Sequence, residues 1–504
     1  MTQKSDKYFE DNKPFEGLGR ASLRGGAAFL AARSINIITQ VASTILLARL
    51  LSPHDFGLVA MVLALVGFAP LLIDLGTTDA STQKTRITEV EISTLFWFNI
   101  AIGAALTVLL VSTSGFIASI FGEPALTGIA LLSSLTFIMA AVSNQHYALM
   151  RRAMQFRQVA TIDISANVIG TIVAIIMAFT GWGYWALVAK PVVTSGLTAV
   201  GVWMSCRWVP GRPRLTPEVK ELVGFGVGVT SFAVTDYMTK SADRLALGYF
   251  YGAGPLGYFQ NAFLLYSNLL SILTESLHNV AVAGLSKLRD NVEELKRSWA
   301  SALSLVSFVT SGLFAGLAVT GQDFVVLLLG EKWAPAGPLL CIFAVRGIAH
   351  SVERSLGWLH VPAGRSDRWM RWGFISAGVQ LAALVVGLPF GLIGVATAYT
   401  IAMFGLFVPA LVYAGRPFGI GVRDVLAASG PQTASGLITV AVGFAVQHFF
   451  LADFSLPGRF FTSALVCLVT YLALVVGIFR VTGPLQLALS LLRDFRPKRS
   501  RGST

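Results

Sequence analysis

The chain has 504 residues, of which 54% are hydrophobic and only 13% are charged, and its mean hydropathy is +0.69. A soluble protein carries about 25% charged residues, so this composition excludes a soluble enzyme and a receptor with a large ectodomain. The formal net charge of +12 would suggest a nucleic-acid partner in a soluble protein, and its distribution along the chain therefore needs an explanation.

Apolar stretches recur along the whole chain, and each is long enough to cross a hydrocarbon core of about 30 Å as a helix. We therefore predict an all-α polytopic membrane protein with about fourteen transmembrane helices. The predicted spans are 26–49, 54–75, 93–113, 126–150, 161–180, 184–205, 223–248, 256–282, 300–320, 336–360, 373–390, 394–414, 428–449 and 459–480.

Lysines and arginines concentrate in alternate loops and at both ends of the chain. The odd-numbered loops and their margins carry only Arg49, Lys332 and Arg459. Because positively charged loops stay on the cytoplasmic side, both termini are expected in the cytoplasm. The same asymmetry explains most of the net charge, so no nucleic-acid partner is expected. The basic tail at 481–504 is expected to lie on anionic lipid.

The sequence also resembles itself. Ala48–Ala60 (ARLLSPHDFGLVA) matches Gly248–Gln260 (GYFYGAGPLGYFQ) at an offset of 200, and Gly181–Ala189 matches Gly391–Tyr399 at an offset of 210. A repeat of six spans enters the membrane in the same direction each time, which predicts two parallel lobes. The predicted divisions are an N-terminal arm (1–25), an N-lobe (26–205), a linker (206–222), a C-lobe (223–414), two extra helices (428–480) and the basic tail (481–504).

The seventh span carries four ionisable side chains on one helix face. Asp236, Lys240, Asp243 and Arg244 follow spacings of four, seven and eight residues, which place them together at about 100° per residue. A charge at the bilayer centre costs roughly 3 kcal/mol on insertion scales, so this face must contact other helices or water. Two interpretations stay open: salt bridges that fasten helices, such as Asp236 with Lys240, or a polar cavity for a charged solute.

Other spans carry charges too, and the tenth repeats the same spacing. Cations outnumber carboxylates, which favours an anionic solute, because the guanidinium fork suits phosphate oxygens and lysine adds a point charge. The carboxylates are candidates for coupling through a proton or Na⁺, and His350 and His278 are either packing residues or titrating groups. The predicted cavity cations are Arg33, Arg49, Lys190, Lys240, Arg244, Arg346 and Arg354, and the predicted carboxylates are Asp236, Asp243, Glu275 and Glu353.

Motifs of enzymes and metal sites are missing from the sequence. It contains no GxxxxGK[ST] loop, no HEXXH and no CxxC, so we expect no catalytic residue, no metal and no cofactor. A membrane-embedded glycosyltransferase or polymerase remains an alternative, with the segment 321–336 as its candidate polar loop. A cation-coupled multidrug exporter is a second alternative, although its cavity should be acidic or aromatic rather than cationic.

Four motifs carry a family resemblance: LLSPHDFG at 50–57, RRAMQFR at 151–157, GWGYWALV at 181–188, and DRLALG at 243–248 with LGYF at 256–259. Over most of its length the chain resembles the Wzx-type polysaccharide flippases of the multidrug/oligosaccharidyl-lipid/polysaccharide exporter superfamily, and within them the colanic-acid-like exopolysaccharide branch. We take the RRAMQFR motif as a cytoplasmic loop that sets topology or contacts headgroups.

The resemblance implies a V of two six-helix lobes with two added helices, in the bacterial inner (plasma) membrane. It implies that a polyprenyl-diphosphate-linked oligosaccharide is turned from the cytoplasmic to the outer leaflet, for exopolysaccharide or lipopolysaccharide biosynthesis. The polymerase and export machinery are further candidate partners. Cavity cations handle the substrate in this family, and the matching residues here are Arg33, Arg49, Lys240 and Arg244.

Overall fold

The computed structural model of the protein describes residues 8–9, 39–78, 81, 84, 86–214, 216–288, 291–363 and 366–483. These residues are almost entirely helical and contain no strand. Arg33 lies outside the described residues. Glu275 and His278 lie in a described helix, but their side chains are outside the description.

We number fourteen long helices within the described residues, and each overlaps one predicted span. They are α1 (39–50), α2 (Pro53–Val66), α3 (Glu89–Phe121), α4 (Ala125–Arg152), α5 (Phe156–Phe179), α6 (Trp185–Cys206), α7 (Pro217–Tyr251), α8 (Ala253–Lys287), α9 (Val292–Leu329), α10 (Ala336–Glu353), α11 (Ser366–Gly387), α12 (Gly391–Gly415), α13 (Val422–Phe450) and α14 (Leu456–Leu472). Shorter helices form at Ala69–Asp74 and Gly357–Ala363.

Nine stretches of the described helices are long and apolar enough to cross a membrane, and one of them, Asp367–Phe418, contains both α11 and α12. The chain is therefore a multi-pass membrane protein, as its hydropathy predicts. Helices α7, α8 and α10 are not among the nine, and these are the helices on which most of the predicted intramembrane charges lie.

Local sequence explains where several helices begin. In the LLSPHDFG motif, the Ser52 hydroxyl accepts a hydrogen bond from the backbone N–H of Asp55, whose carboxylate accepts one from the backbone of Ser52. Pro53 occupies the first helical turn, where its missing N–H costs nothing. Thr88 and Glu91 form a second capping box at the start of α3. The motif thus specifies the start of α2 by reciprocal capping.

The chain divides into two compact units, with the boundary between Gly257 and Tyr258. In the first unit α3 packs on α4, α5 on α6, and α4 on α6. In the second unit α9 packs against α10, α13 and α14, and α12 packs against α10 and α11. The predicted lobes, 26–205 and 223–414, have other boundaries and stay a prediction.

Candidate functional site

The charged face of α7 contains an ion pair. Lys240 Nζ lies 2.7 Å from Asp236 Oδ2, and the two side chains are 65% and 46% exposed. Such an exposed pair contributes about 0–1 kcal/mol to stability. Stabilising the helix packing is therefore a poor explanation for this pair. One turn further on, Asp243 is buried and its Oδ1 accepts the backbone N–H of Arg244 at 2.7 Å. No described carboxylate pairs with the half-buried guanidinium of Arg244.

Lys190 of α6 lies in an apolar helix beside Pro191 and is half-buried. Its Nζ donates a hydrogen bond to Ser43 Oγ of α1 at 2.8 Å. An ammonium group offers three donors, and among the described residues Ser43 is the partner that it finds, with no carboxylate in reach. The first unit thus holds a lysine whose charge no described side chain neutralises.

Arg346 of α10 is a buried cation of the second unit, and it is 4% exposed. Its Nη2 lies 3.5 Å from Gln380 Oε1 of α11, and its guanidinium carbon lies 5.3 Å from the ring centre of Tyr399 on α12. Its Nε is buried and has no hydrogen-bond partner among the described residues. A buried unpaired donor on a charged group is costly, so this position favours binding of an anion.

The other predicted residues occupy less enclosed positions. Arg49 is exposed at the end of α1, and Arg354 is exposed in the 3₁₀ turn that follows α10, rather than inside the helix as predicted. Glu353 is half-buried, with Oε2 4.0 Å from His350 Nε2. Among the described residues, no group of three or more histidines, cysteines or acidic residues could hold a metal ion.

Two polar interactions of the second unit were missed by sequence reasoning. Asp323 is 1% exposed, and both of its carboxylate oxygens accept hydrogen bonds from the guanidinium of Arg459 on α14. Gln447 of α13 adds a third hydrogen bond at 3.1 Å. The segment 321–336 is therefore not a polar loop, because α9 continues to Leu329. The segment therefore does not provide the polar loop that a membrane-embedded glycosyltransferase or polymerase would need.

The two arginines that begin the RRAMQFR motif lie in the last turn of α4 and make specific contacts. Arg152 is 6% exposed and donates to the carbonyl oxygens of Ser81 and Lys84, at 3.2 Å for Ser81. Arg151 lies over the ring of Tyr147, with its guanidinium carbon 4.8 Å from the ring centre. The first arginine therefore stacks on its own helix, and the second anchors the connection that precedes α3.

Asp74, the last residue of the short helix Ala69–Asp74, is part of a half-buried network. Its Oδ1 accepts hydrogen bonds from the hydroxyl of Thr78 at 2.6 Å and from Asn144 Nδ2 at 2.8 Å. Gln145 of α4 donates to Thr77 Oγ1 at 3.0 Å. Amide side chains at two consecutive positions of a spanning helix were the signal that could have revealed this network.

Comparisons with known proteins agree with this architecture. Residues 46–338 match the family described as "Polysaccharide biosynthesis protein". The chain is 26% identical over 347 residues to the lipopolysaccharide biosynthesis protein WzxC of Escherichia coli (strain K12), covering 68% of this chain and 70% of that protein. It is 22% identical over 411 residues to the succinoglycan biosynthesis transport protein ExoT of Rhizobium meliloti (strain 1021), covering 80% and 82%.

Among solved structures, the inward closed conformation of the lipid II flippase MurJ superimposes with a TM-score of 0.72 at 17% identity. The match covers 90% of this chain and 98% of that one, and at this identity it shows a shared fold. The resemblance drawn from the motifs is confirmed. Since the family match spans more than half of the sequence, the chain belongs to the polysaccharide biosynthesis protein family.

Proposed function

We propose that this protein is a flippase that moves polyprenyl-diphosphate-linked oligosaccharide repeat units across the bacterial inner membrane, for exopolysaccharide or lipopolysaccharide biosynthesis. The observation that carries the proposal is one cation in each unit, half-buried Lys190 and buried Arg346, for which the described residues offer no carboxylate partner. An intramembrane charge is a functional group by default, and phosphate oxygens are acceptors that suit each of these cations.

The relatives favour a saccharide substrate. The Escherichia coli and Rhizobium relatives are named for lipopolysaccharide biosynthesis and for transport in succinoglycan biosynthesis. The solved structure with the shared fold is titled a lipid II flippase. Transport rather than catalysis is the role that fits these names, and we extend it to this chain together with a lipid-linked substrate.

We assign phosphate binding to cations in each unit. In the first unit these are Lys190 and Arg244. Lys240 joins them during transport, when it leaves its ion pair with Asp236 and binds the substrate phosphate. In the second unit Arg346 has the same role, and exposed Arg354 supplies a further charge. Arg guanidinium groups bind phosphate through paired donors, and lysine acts as a point charge. Arg49, and Arg33 outside the described residues, remain candidates for the same role.

The direction of transport follows from the expected topology. With both termini in the cytoplasm, the substrate enters from the side on which its sugars are assembled. An interior-negative potential favours outward movement of an anion by about 2.3 kcal/mol per charge per 100 mV. Outward movement of the substrate can be driven by the membrane potential alone or by coupled movement of a proton or Na⁺.

The test replaces Lys190 by methionine in a host whose polysaccharide export depends on this protein. Lys287→Met serves as the matched control, because Lys287 is an exposed lysine in the last turn of α8. After membrane levels are checked, extracellular polysaccharide and lipid-linked repeat units are measured together. We expect Lys190→Met to lose polymer while repeat units accumulate on the cytoplasmic leaflet. Normal export by this variant would remove the main support for the proposal.

A further inference from the structure

Three titratable side chains of the second unit form a line: Tyr266 of α8, and His350 and Glu353 of α10. Tyr266 Oη lies 2.5 Å from His350 Nδ1, and His350 Nε2 lies 4.0 Å from Glu353 Oε2. Tyr266 is fully buried, whereas the side chains of His350 and Glu353 are 21% and 16% exposed. The histidine therefore lies between an enclosed hydroxyl and a carboxylate that retains some exposure.

This geometry lets His350 bind one proton without losing its hydrogen bond to Tyr266. When Nδ1 of a neutral imidazole accepts the tyrosine O–H, its ring hydrogen is on Nε2, which faces Glu353. When a proton is added at Nδ1, this nitrogen becomes the donor and the tyrosine oxygen the acceptor. The carboxylate of Glu353 then faces a positively charged ring. Two protonation states thus share one arrangement of side chains.

Two arginines flank His350 along the same stretch of chain. Arg346 lies one turn before His350 on the same helix, and Arg354 follows one turn after it. Tyr399 of α12 lies under Arg346. Helices α9 and α13 also pack on α10, where Thr310 hydrogen-bonds to Ser351 and Gly436 lies beside Ile348. Among the described side chains, Glu353 is a carboxylate near His350, and Arg346 and Arg354 are cationic neighbours on the same stretch of chain. Glu275 and His278 of α8 have side chains outside the description.

We propose that His350, positioned by Tyr266 and Glu353, is a proton-binding site whose protonation strengthens the attraction of Arg346 and Arg354 for the substrate diphosphate. The identity of the anion rests on the function proposed above. A protonated His350 adds a positive charge between the two arginines, and Arg346 already carries a buried N–H with no described partner. By reciprocity, anion binding then favours proton binding by the same factor.

The first experiment measures binding of a short-chain prenyl diphosphosugar to the purified full-length protein at several pH values. This probe is a diphosphate diester, so its own phosphates do not titrate near neutral pH. We expect the wild-type Kd to tighten by about tenfold as the pH falls from about 8 to about 6, the range in which histidine titrates. In His350→Gln the Kd is expected to stay nearly constant.

The matched control is His448→Gln, because His448 is an exposed histidine of the same unit, and this variant should keep the wild-type pH dependence. Tyr266→Phe retains the aromatic ring and removes the hydroxyl, so it should shift the midpoint of the pH profile rather than abolish it. A positioning role predicts this shift, whereas a purely structural role would leave the midpoint unchanged. An unaltered pH dependence in His350→Gln would overturn the inference.

A second measurement needs no substrate. In protein labelled with ¹⁵N-histidine, the imidazole signals that His350→Gln removes should move between about pH 5 and pH 8. Signals that stay fixed over this range would rule out a proton-binding site at His350. If the wild type binds no probe at any pH, the proposed function and the linkage to the anion both fail, while the titration still decides the proton site separately.

Discussion

Gly57 of α2 and Gly257 of α8 each lie against the backbone of the other's helix. A Cβ atom at Gly57 would lie 1.7 Å from the carbonyl oxygen of Ala253, and one at Gly257 would lie 1.8 Å from the carbonyl oxygen of Pro53. Pro53 and Gly57 align with Ala253 and Gly257 in the internal repeat. The contact within the first unit therefore joins equivalent positions of the two repeated segments.

Replacing either glycine by alanine is expected to destabilise the protein, because the added methyl group meets backbone atoms that cannot rotate away. Overpacking of this kind costs typically about 1–3 kcal/mol, so Gly57→Ala and Gly257→Ala should lower the Tm of the purified protein. Gly115→Ala on α3 is the control, since a Cβ there contacts nothing within 4 Å and alanine favours a helix interior. Equal Tm values for Gly57→Ala and Gly115→Ala would contradict the close contact.

The bidentate pair between Asp323 and Arg459 should hold α14 against α9. Removing one partner of a fully buried pair costs about 3–5 kcal/mol, and the 28% exposure of Arg459 reduces this. We expect Arg459→Gln to lower the free energy of unfolding by about 2 kcal/mol. The double variant Asp323→Leu/Arg459→Met should recover part of the loss. Additive effects of Asp323→Leu and Arg459→Met in the double-mutant cycle would argue against a direct interaction.

Substitutions at Lys240 and Asp236 distinguish the contribution of the lysine charge from that of the ion pair. Lys240→Ala should change the free energy of unfolding by less than about 1 kcal/mol. It should slow transport by about tenfold, the effect of losing roughly 1.4 kcal/mol of interaction with the moving diphosphate. Asp236→Asn breaks the same pair and retains the cation, so transport should persist. Equal defects in both variants would instead assign the pair a structural role.

Arg152 should protect the connection before α3 from proteolysis. Arg152→Gln removes the donor that the carbonyl oxygens of Ser81 and Lys84 share, so trypsin should cleave after Lys84 or Arg86 faster than in the wild type. Arg157→Gln, in the same motif, is the matched control. Unchanged cleavage in Arg152→Gln, measured by mass spectrometry of the early fragments, would show that these bonds do not hold the connection.

The charged helices show which contacts the sequence can predict: those within one helix, but not those between helices. The spacing of Asp236 and Lys240 made their ion pair one of two open interpretations, because residues four apart on a helix are neighbours, and the structure contains that pair. Helical spacing likewise puts Arg346 and Arg354 on one face, but Gln380 and Tyr399, which contact Arg346, come from other helices and have no signature in that spacing. Asp323 was also treated as a loop residue, because the polar residues around it resemble a helix end.

The sequence by itself determined the membrane class, the family and the approximate positions of the helices, because hydropathy and capping are local properties of the chain. Only the tertiary structure decided which polar groups of different helices meet. Tyr266 and His350 are 84 residues apart, and Asp323 and Arg459 are 136 apart. Contacts at such separations depend on which helices pack together and how each is rotated. Periodicity within one helix carries no information about that choice.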